Sequence, residues 1–171
     1  MINKIACAQL VSAKASWEVV DLAKKSEGFD SLKLCNQVCF PLYACSKELV
    51  RQYGPYLKKL DLTYTQYLVM MVLWERDEVS SRDLAGCLHL DYGTLTPVLK
   101  RLEQATLIER QRMPEDERLL SIRITEKGRK LQQKAVDIPP SIAACTGLTK
   151  EEFETLYKLT YKALSNMESH K

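Results

Sequence analysis

The sequence predicts a mainly α-helical protein with one small β-hairpin, and three observations support this prediction. Apolar side chains recur mostly at intervals of three or four residues, which is the period of an amphipathic helix. Residues that favour helix starts separate these stretches. One pair of segments alternates instead, at 107–113 and 119–125. A chain of 171 residues can bury a full core as one domain, so the fold needs no disulfide scaffold.

The composition excludes several classes of protein. Hydrophobic residues make up 46% and charged residues 27% of the chain, which is typical of a globular protein rather than a disordered or collagen-like one. No apolar run approaches the roughly 18–20 residues that cross a bilayer, and Gln9 interrupts the one stretch that resembles a secretory signal. We therefore expect a cytoplasmic protein with reduced thiols and no membrane partner. The net charge of +3 leaves nucleic-acid binding open, because that depends on where basic residues cluster.

The six cysteines do not have the pattern of a metal site. There is no C-x-x-C pair and there are only two histidines, so the closely spaced ligands of a zinc site are missing. We therefore expect no metal and no other cofactor. Two interpretations remain for thiols in a reducing compartment: buried structural residues or a reactive, redox-sensing thiol.

The N-terminal third begins with a segment that differs from the rest. Ala, Ser and Lys dominate residues 1–31, which we interpret as an extension that is either flexible or an artificial tail. A helical pattern follows over 32–60. Pro41 either begins the helix proper or kinks it, and Gly54-Pro55 is predicted to break or bend it again.

Three further helices are predicted before the hairpin. Thr63-Tyr64-Thr65-Gln66 has the spacing of a capping box and predicts a helix to about residue 76. Ser80 or Ser81 caps a short helix over 82–88. After a turn, a longer helix runs to about residue 105. Thr94 is its predicted cap, because Pro97 then lies in the first turn and costs no hydrogen bond.

The second half is predicted as a hairpin followed by two helices. Leu120, Ile122 and Ile124 share one face of the second strand, and residues 114–117 form the polar turn. Thr125 caps a helix over 126–136, and Pro139-Pro140 ends it. A loop then carries Cys145, and Thr149-Lys150-Glu151-Glu152 is a second capping box that begins the last helix.

The order of short helix, turn, helix and hairpin is that of a winged helix-turn-helix. Its second helix lies in the DNA major groove and reads base edges with its N-terminal residues. An ordinary solvated charged face is the alternative interpretation of the basic residues. The candidate DNA-binding residues are Gly93, Thr94, Thr96, Lys100 and Arg101 on the helix, and Arg110, Arg112, Asp116 and Arg118 on the hairpin.

Four segments carry a resemblance to a known family. They are Leu34-Cys35-Asn36-Gln37-Val38-Cys39-Phe40-Pro41-Leu42-Tyr43, Leu62–Leu68, Leu90–Glu103 and Asp116-Glu117-Arg118. They resemble, in this order, the N-terminal helix, the second helix, the recognition helix and the wing motif of the MarR-family organic-hydroperoxide-resistance repressors, called OhrR. The resemblance covers residues 32 to about 168 and leaves out 1–31.

This resemblance implies a homodimeric, MarR-like repressor that binds a pseudo-palindromic double-stranded DNA operator and senses organic hydroperoxide. The family's reactive cysteine lies in an N-Q-x-C-F motif, which matches Cys39 here. The tyrosines that hold its thiolate match Tyr43, Tyr53 and Tyr64. A phenolic O–H donates a hydrogen bond that favours the charged sulfur. A buried inert Cys39 and plain core tyrosines remain the alternatives.

The resemblance also suggests roles for other parts of the chain. Some family members use a second thiol before the last helix, and Cys145 lies in that neighbourhood without matching the position strictly, so chance placement stays open. Cys87 is expected in the core. Residues 32–171 form the MarR-like domain, in which 80–125 is the DNA-binding lobe and 32–60 and 126–171 are the dimerisation helices. The rival functions are a MarR-type repressor controlled by a small ligand and, less well supported, a thiol peroxidase; we expect no enzyme.

Overall fold

The structure is a computed structural model that describes residues 32–113 and 116–169, without the side chains of Cys35, Met113 and residues 116–119. The chain divides into two compact units, Met1–Ala44 and Cys45–Lys171. The predicted extension over 1–31 lies outside the described residues and stays a prediction.

Helices dominate the described residues, and a short 3-10 turn, Leu34–Asn36, precedes them. In chain order the elements are α1 (Cys39–Lys59), α2 (Tyr64–Arg76), β1 (Glu78–Ser80), α3 (Ser81–Leu88), α4 (Tyr92–Gln104), β2 (Ile108–Met113), β3 (Asp116–Ile124), α5 (Glu126–Ala135), α6 (Ile138–Cys145) and α7 (Lys150–Glu168). The mainly helical fold with a hairpin is therefore confirmed. Among the described helices, none is both long and apolar enough to span a membrane.

The sheet has three antiparallel strands in the order β1-β3-β2. Ile122 of β3 lies between Val79 of β1 and Arg110 of β2, and its side chain is fully buried. The predicted hairpin is confirmed, as is the inward face that Ile122 shares with Ile124. The strand β1 was not predicted, because three residues are too few to show an alternating pattern.

One apolar core in the second unit holds the helix-turn-helix against the sheet. Its fully buried side chains come from α2, α3, α4 and the two hairpin strands, and they include Tyr67, Val69, Met70, Leu73, Leu84, Leu95, Leu99, Leu102, Ile108 and Ile122. Burying a side chain of this kind stabilises the fold by about 1.5–3 kcal/mol. Because α4 contributes three of these leucines, its opposite face is presented outward.

The predicted capping residues begin their helices as expected. Thr63 accepts a hydrogen bond from the Gln66 N–H at 3.3 Å, and the Gln66 side chain accepts one from the Thr63 N–H at 2.7 Å. Ser80 caps α3, and Thr125 caps α5. Thr149 forms the second capping box at the start of α7. Each cap satisfies backbone N–H groups that have no partner inside the helix.

The predicted break at Gly54-Pro55 is wrong, because α1 continues to Lys59. Pro55 lacks the N–H that would bond to the Arg51 carbonyl. Both Gly54 and Pro55 are exposed, so water can reach that carbonyl, while Leu57 holds the last turn in the core. Pro41 lies in the first turn of α1, where a missing N–H costs no helical hydrogen bond.

Two further predictions about helix starts are wrong. Asp91, not Thr94, caps α4, because its carboxylate is three residues before the Thr94 N–H and accepts from it. The predicted loop around Cys145 is the helix α6, with Asp137 before it and Pro139 and Pro140 in its first turn. Proline is tolerated there because the first-turn N–H groups have no helical acceptor.

Candidate functional site

The exposed N-terminal face of α4 is the first part of the candidate site. Leu95 and Leu99 are buried on one side of the helix. On the other side, the candidates Gly93, Thr94, Thr96, Lys100 and Arg101 are all exposed. The structure therefore brings the five predicted helix candidates to one accessible surface, at the element that a helix-turn-helix places in the major groove.

Asp91 organises the start of this surface. Its Oδ1 accepts the Thr94 backbone N–H at 2.8 Å, and its Oδ2 accepts the Thr94 hydroxyl at 2.8 Å. These two bonds, the hydroxyl first, hold the pKa of the Asp91 carboxyl below its usual range. A Cβ at Gly93 would stand only 2.9 Å from Oδ1, so the missing side chain lets the carboxylate fold over the helix start.

The hydroxyl of Thr96 also has an internal partner. It donates to the backbone carbonyl of Tyr92 at 2.7 Å, one helical turn earlier. A carbonyl oxygen carries no proton, so the hydroxyl must be the donor in this bond. Asp91 and the Tyr92 carbonyl therefore determine which hydrogen bonds the two threonine hydroxyls can still make, and neither acceptor was predicted from the sequence. An acidic residue three positions before a threonine was the available signal for the first.

The wing candidates differ in their surroundings. The Arg110 side chain is only 18% exposed and pairs with Glu103 of α4, to which its Nε donates at 2.9 Å. This pairing lowers the pKa of Glu103 and links β2 to the recognition helix. Arg112 is exposed. The side chains of Asp116 and Arg118 lie outside the described residues.

The candidate thiols are all accessible. Cys39 is the first residue of α1, Cys145 is the last residue of α6, and both are exposed. Tyr43 follows Cys39 by one helical turn, with 62% of its surface exposed. The expectation that Cys87 lies in the core is wrong, since it is exposed on α3. Its neighbours Leu84 and Ala85 fill the inward face of that helix instead.

The structure brings two of the predicted tyrosines together in an aromatic cluster. The rings of Tyr53 and Tyr64 lie with centroids 4.9 Å apart, and Tyr67 stands 5.7 Å from Tyr53. Burial, reinforced by the neighbouring phenols, raises the pKa of Tyr53 to about 12. Burial also raises the pKa of Tyr64. Both hydroxyls therefore keep their protons at neutral pH and remain hydrogen-bond donors. Tyr67, which sequence analysis missed, supports the pair from the core.

Two contacts of Trp74 hold the aromatic cluster in place. Trp74 stacks edge-on to Tyr67 at 5.9 Å and donates from Nε1 to the Gly128 carbonyl at 2.9 Å, which ties α2 to α5. Among the residues that the structure describes, no group of three or more His, Cys, Asp or Glu side chains is arranged to hold a metal.

Comparisons with known proteins agree with this architecture. The family model described as "Transcriptional regulator SarA/Rot" matches residues 51–135. The organic hydroperoxide resistance transcriptional regulator of Bacillus subtilis strain 168 is 46% identical over 139 residues, which cover 81% of this chain and 95% of that protein.

Solved structures give the same result. Reduced AbfR bound to DNA is 33% identical with a TM-score of 0.66, covering 80% of this chain and 96% of that one. Disulfide-formed AbfR is 35% identical with a TM-score of 0.54, covering 82% and 92%; AbfR is a protein of Staphylococcus epidermidis. The chain therefore belongs to the MarR-type family of winged-helix transcriptional regulators, alongside the organic hydroperoxide resistance regulators.

Proposed function

We propose that this protein is a cytoplasmic, peroxide-sensing repressor that releases its DNA operator when an organic hydroperoxide oxidises Cys39. The observation that carries the proposal is the exposed Cys39 thiol at the first residue of α1, in a chain with an exposed recognition helix. The thiolate is the form of a cysteine that reacts with peroxide, and an exposed thiol is accessible to that reagent. The peroxide signal is carried over from the Bacillus subtilis relative.

The homodimer is supported by apolar side chains that a single chain leaves uncovered. No residue of α7 is buried, although Leu156, Leu159 and Met167 lie along it, the last two about 60% exposed. Leu34 and Val38 of the first unit are also exposed. Apolar patches of this kind mark association surfaces. We expect Leu159→Glu to yield a monomer in analytical ultracentrifugation, while the wild type sediments as a dimer.

The tyrosine hydroxyls are proposed to act on the Cys39 thiolate in the assembled dimer. Tyr53 and Tyr64 retain protons that can be donated to a charged sulfur, and Tyr43 lies one turn from Cys39. Losing these hydrogen bonds should slow oxidation. Tyr53→Phe with Tyr64→Phe should therefore react more slowly with cumene hydroperoxide than Tyr56→Phe, a control on the same helix. Equal rates would remove the tyrosines from the sensor.

Cys145 is proposed as the resolving thiol. The Cys39 thiolate takes an oxygen atom from the hydroperoxide and, with one proton from water, gives a sulfenic acid and the alcohol. The Cys145 thiol of the other protomer then forms a disulfide with the sulfenic acid, and water leaves. AbfR has been captured with a disulfide. After one equivalent of peroxide, a non-reducing gel should show a dimer-mass band that disappears in Cys145→Ser. A band that persists in that variant would assign resolution to another cysteine.

The decisive experiment measures operator binding before and after cumene hydroperoxide. The wild type should lose binding, and Cys39→Ser should keep it. Cys45→Ser is the matched control, because Cys45 is exposed on the same helix, and it should respond like the wild type. Loss of binding in Cys39→Ser would refute Cys39 as the sensor. No response in any protein would favour control by a small ligand, and repeated peroxide turnover with a thiol reductant would favour the peroxidase.

A further inference from the structure

Both threonine hydroxyls of the recognition helix already donate a hydrogen bond within the protein, so neither is free to donate one to DNA. The Thr94 hydroxyl donates to the Asp91 carboxylate at 2.8 Å, and the Thr96 hydroxyl donates to the Tyr92 carbonyl at 2.7 Å. Each hydroxyl has a single proton, and both acceptors here can only accept. What remains on each side chain is a methyl group and an oxygen that accepts.

This arrangement restricts the DNA groups that the two side chains can contact. Phosphate oxygens, guanine N7 and O6, adenine N7 and thymine O4 are all acceptors, so a contact to any of them would first break an internal bond. A methyl group, by contrast, packs against another apolar group at no such cost. Thymine is the base that presents a methyl group in the major groove.

The other exposed residues at the start of α4 also offer few hydrogen-bond donors. Gly93 has no side chain, and Pro97 adds an apolar ring without an N–H. Between residues 91 and 97, all of which the structure describes, the Tyr92 hydroxyl is the one side-chain donor not assigned to a hydrogen bond above. The cations Lys100 and Arg101 follow a turn further along the helix, where phosphates rather than bases are the natural partners.

We propose that Thr94 and Thr96 read A·T pairs in each operator half-site by packing their methyl groups against thymine C5-methyl groups. The partner adenine supplies N6–H donors, which suit the accepting threonine oxygens. The inference rests on the proposed function, because it takes α4 as the helix that enters the major groove. If the hydroxyls were free donors, phosphates or guanine would be their expected partners; methyl packing instead predicts a preference for thymine.

The test begins with the full-length reduced protein and a random-sequence duplex library. Selection yields the preferred operator, and each thymine of one half-site is then replaced by deoxyuridine, which removes only the C5-methyl group. We expect one or two positions at which affinity falls about fourfold, as for one buried methyl group, and no change elsewhere. Those positions should be A·T pairs on which the N-terminus of α4 docks.

Paired variants identify the group that reads the methyl. Thr96→Ser keeps the hydroxyl and its bond to Tyr92 but loses the methyl, so it should bind the thymine and uracil operators equally at its position. Thr96→Val keeps a methyl and loses the hydroxyl, so it should retain the preference. The same pair of changes at Thr94 should act at a different base. The ratio of the two affinities is measured within each variant, which removes general effects on folding.

Two results would overturn the proposal, and they are distinguishable from failure of the proposed function. An enriched operator that is bound equally well with uracil at every position would exclude methyl reading. A serine variant that retains the preference while the valine variant loses it would assign the reading to the hydroxyl. If selection enriches no sequence at all, sequence-specific DNA binding fails, and this proposal fails with it.

Discussion

Gly128→Ala should destabilise the protein, although the same change usually stabilises a helix. Gly128 is the third residue of α5 and is buried. A Cβ added there would stand 2.3 Å from the Leu107 carbonyl oxygen and 2.9 Å from Ile124 Cγ1. The Leu107 carbonyl cannot move away easily, because it accepts a hydrogen bond from the Thr125 N–H at 3.1 Å where the hairpin meets α5. The clash therefore falls on backbone rather than on a flexible side chain.

Two opposing effects set the size of this change. Alanine is favoured over glycine in a helix by about 1 kcal/mol. Overpacking in a core costs about 1–3 kcal/mol, and a contact with fixed backbone belongs at the upper end of that range. We expect a net loss of about 2 kcal/mol, which lowers the melting temperature by roughly 4–8 °C for a chain of this size.

Gly86→Ala is the matched control, because Gly86 lies in α3 and a Cβ there would meet nothing within 4 Å. It should stabilise the protein by up to about 1 kcal/mol. Thermal and urea unfolding of both variants should be compared with the wild type at one protomer concentration, since association raises stability. If Gly128→Ala melts at or above the wild-type temperature, the close approach of α5 to Leu107 is not rigid and the reasoning fails.

Three further predictions concern contacts in and next to the predicted DNA-binding lobe. Trp74→Phe should cost about 0.5–1.5 kcal/mol in urea unfolding, because the Gly128 carbonyl loses its partner. Asp91→Ala should weaken operator binding. Because folding lowers the pKa of the Asp91 carboxyl, the ionised carboxylate stabilises the fold fully above the unfolded-state pKa of about 4, and this stabilisation is lost as the pH falls. The free energy of unfolding of the variant should therefore depend less on pH in acid than that of the wild type. A double-mutant cycle of Arg110→Met and Glu103→Gln should give a coupling of about 1 kcal/mol or less, as for partly exposed ion pairs.

The fold was predictable because local signals and the core agree. Thr63, Ser80, Thr125 and Thr149 each begin the helix that the sequence assigns to them. Capping depends on side chains three residues apart, which a sequence shows directly. These elements form one consistent winged helix-turn-helix, so errors at single boundaries did not change the architecture.

The prolines show where local signals are insufficient. Pro55 lies inside α1, and Pro139 lies in the first turn of α6 rather than ending α5. A proline removes one N–H and restricts the residue before it, but it does not determine which side of it the helix occupies. In α1, Tyr53 and Leu57 on either side of Pro55 pack against the core, and this tertiary packing outweighs one lost hydrogen bond.

The candidate sensor could be named from the sequence motif but not built from it. Cys39 and Tyr43 are exposed, whereas Tyr53 and Tyr64 are half-buried and close together. A motif identifies residue types, but hydrogen bonds to a thiolate depend on which surfaces an assembled dimer joins. We propose that this assembly, rather than the single chain, completes the site, and the apolar residues left uncovered on α7 support this proposal.

The candidate DNA-binding threonines of α4 show a related limit, at the level of single hydrogen bonds. From the sequence, Thr94 and Thr96 are hydroxyl groups that can donate to any acceptor on DNA. In the structure, both hydroxyls already donate hydrogen bonds to acceptors three and four residues earlier in the chain. A threonine in a helix often bonds back to a carbonyl in this way, and a cap residue adds a second acceptor at the helix start. The neighbours at those two spacings, rather than the residue type alone, therefore decide whether a recognition-helix threonine meets DNA as a donor or as a methyl group.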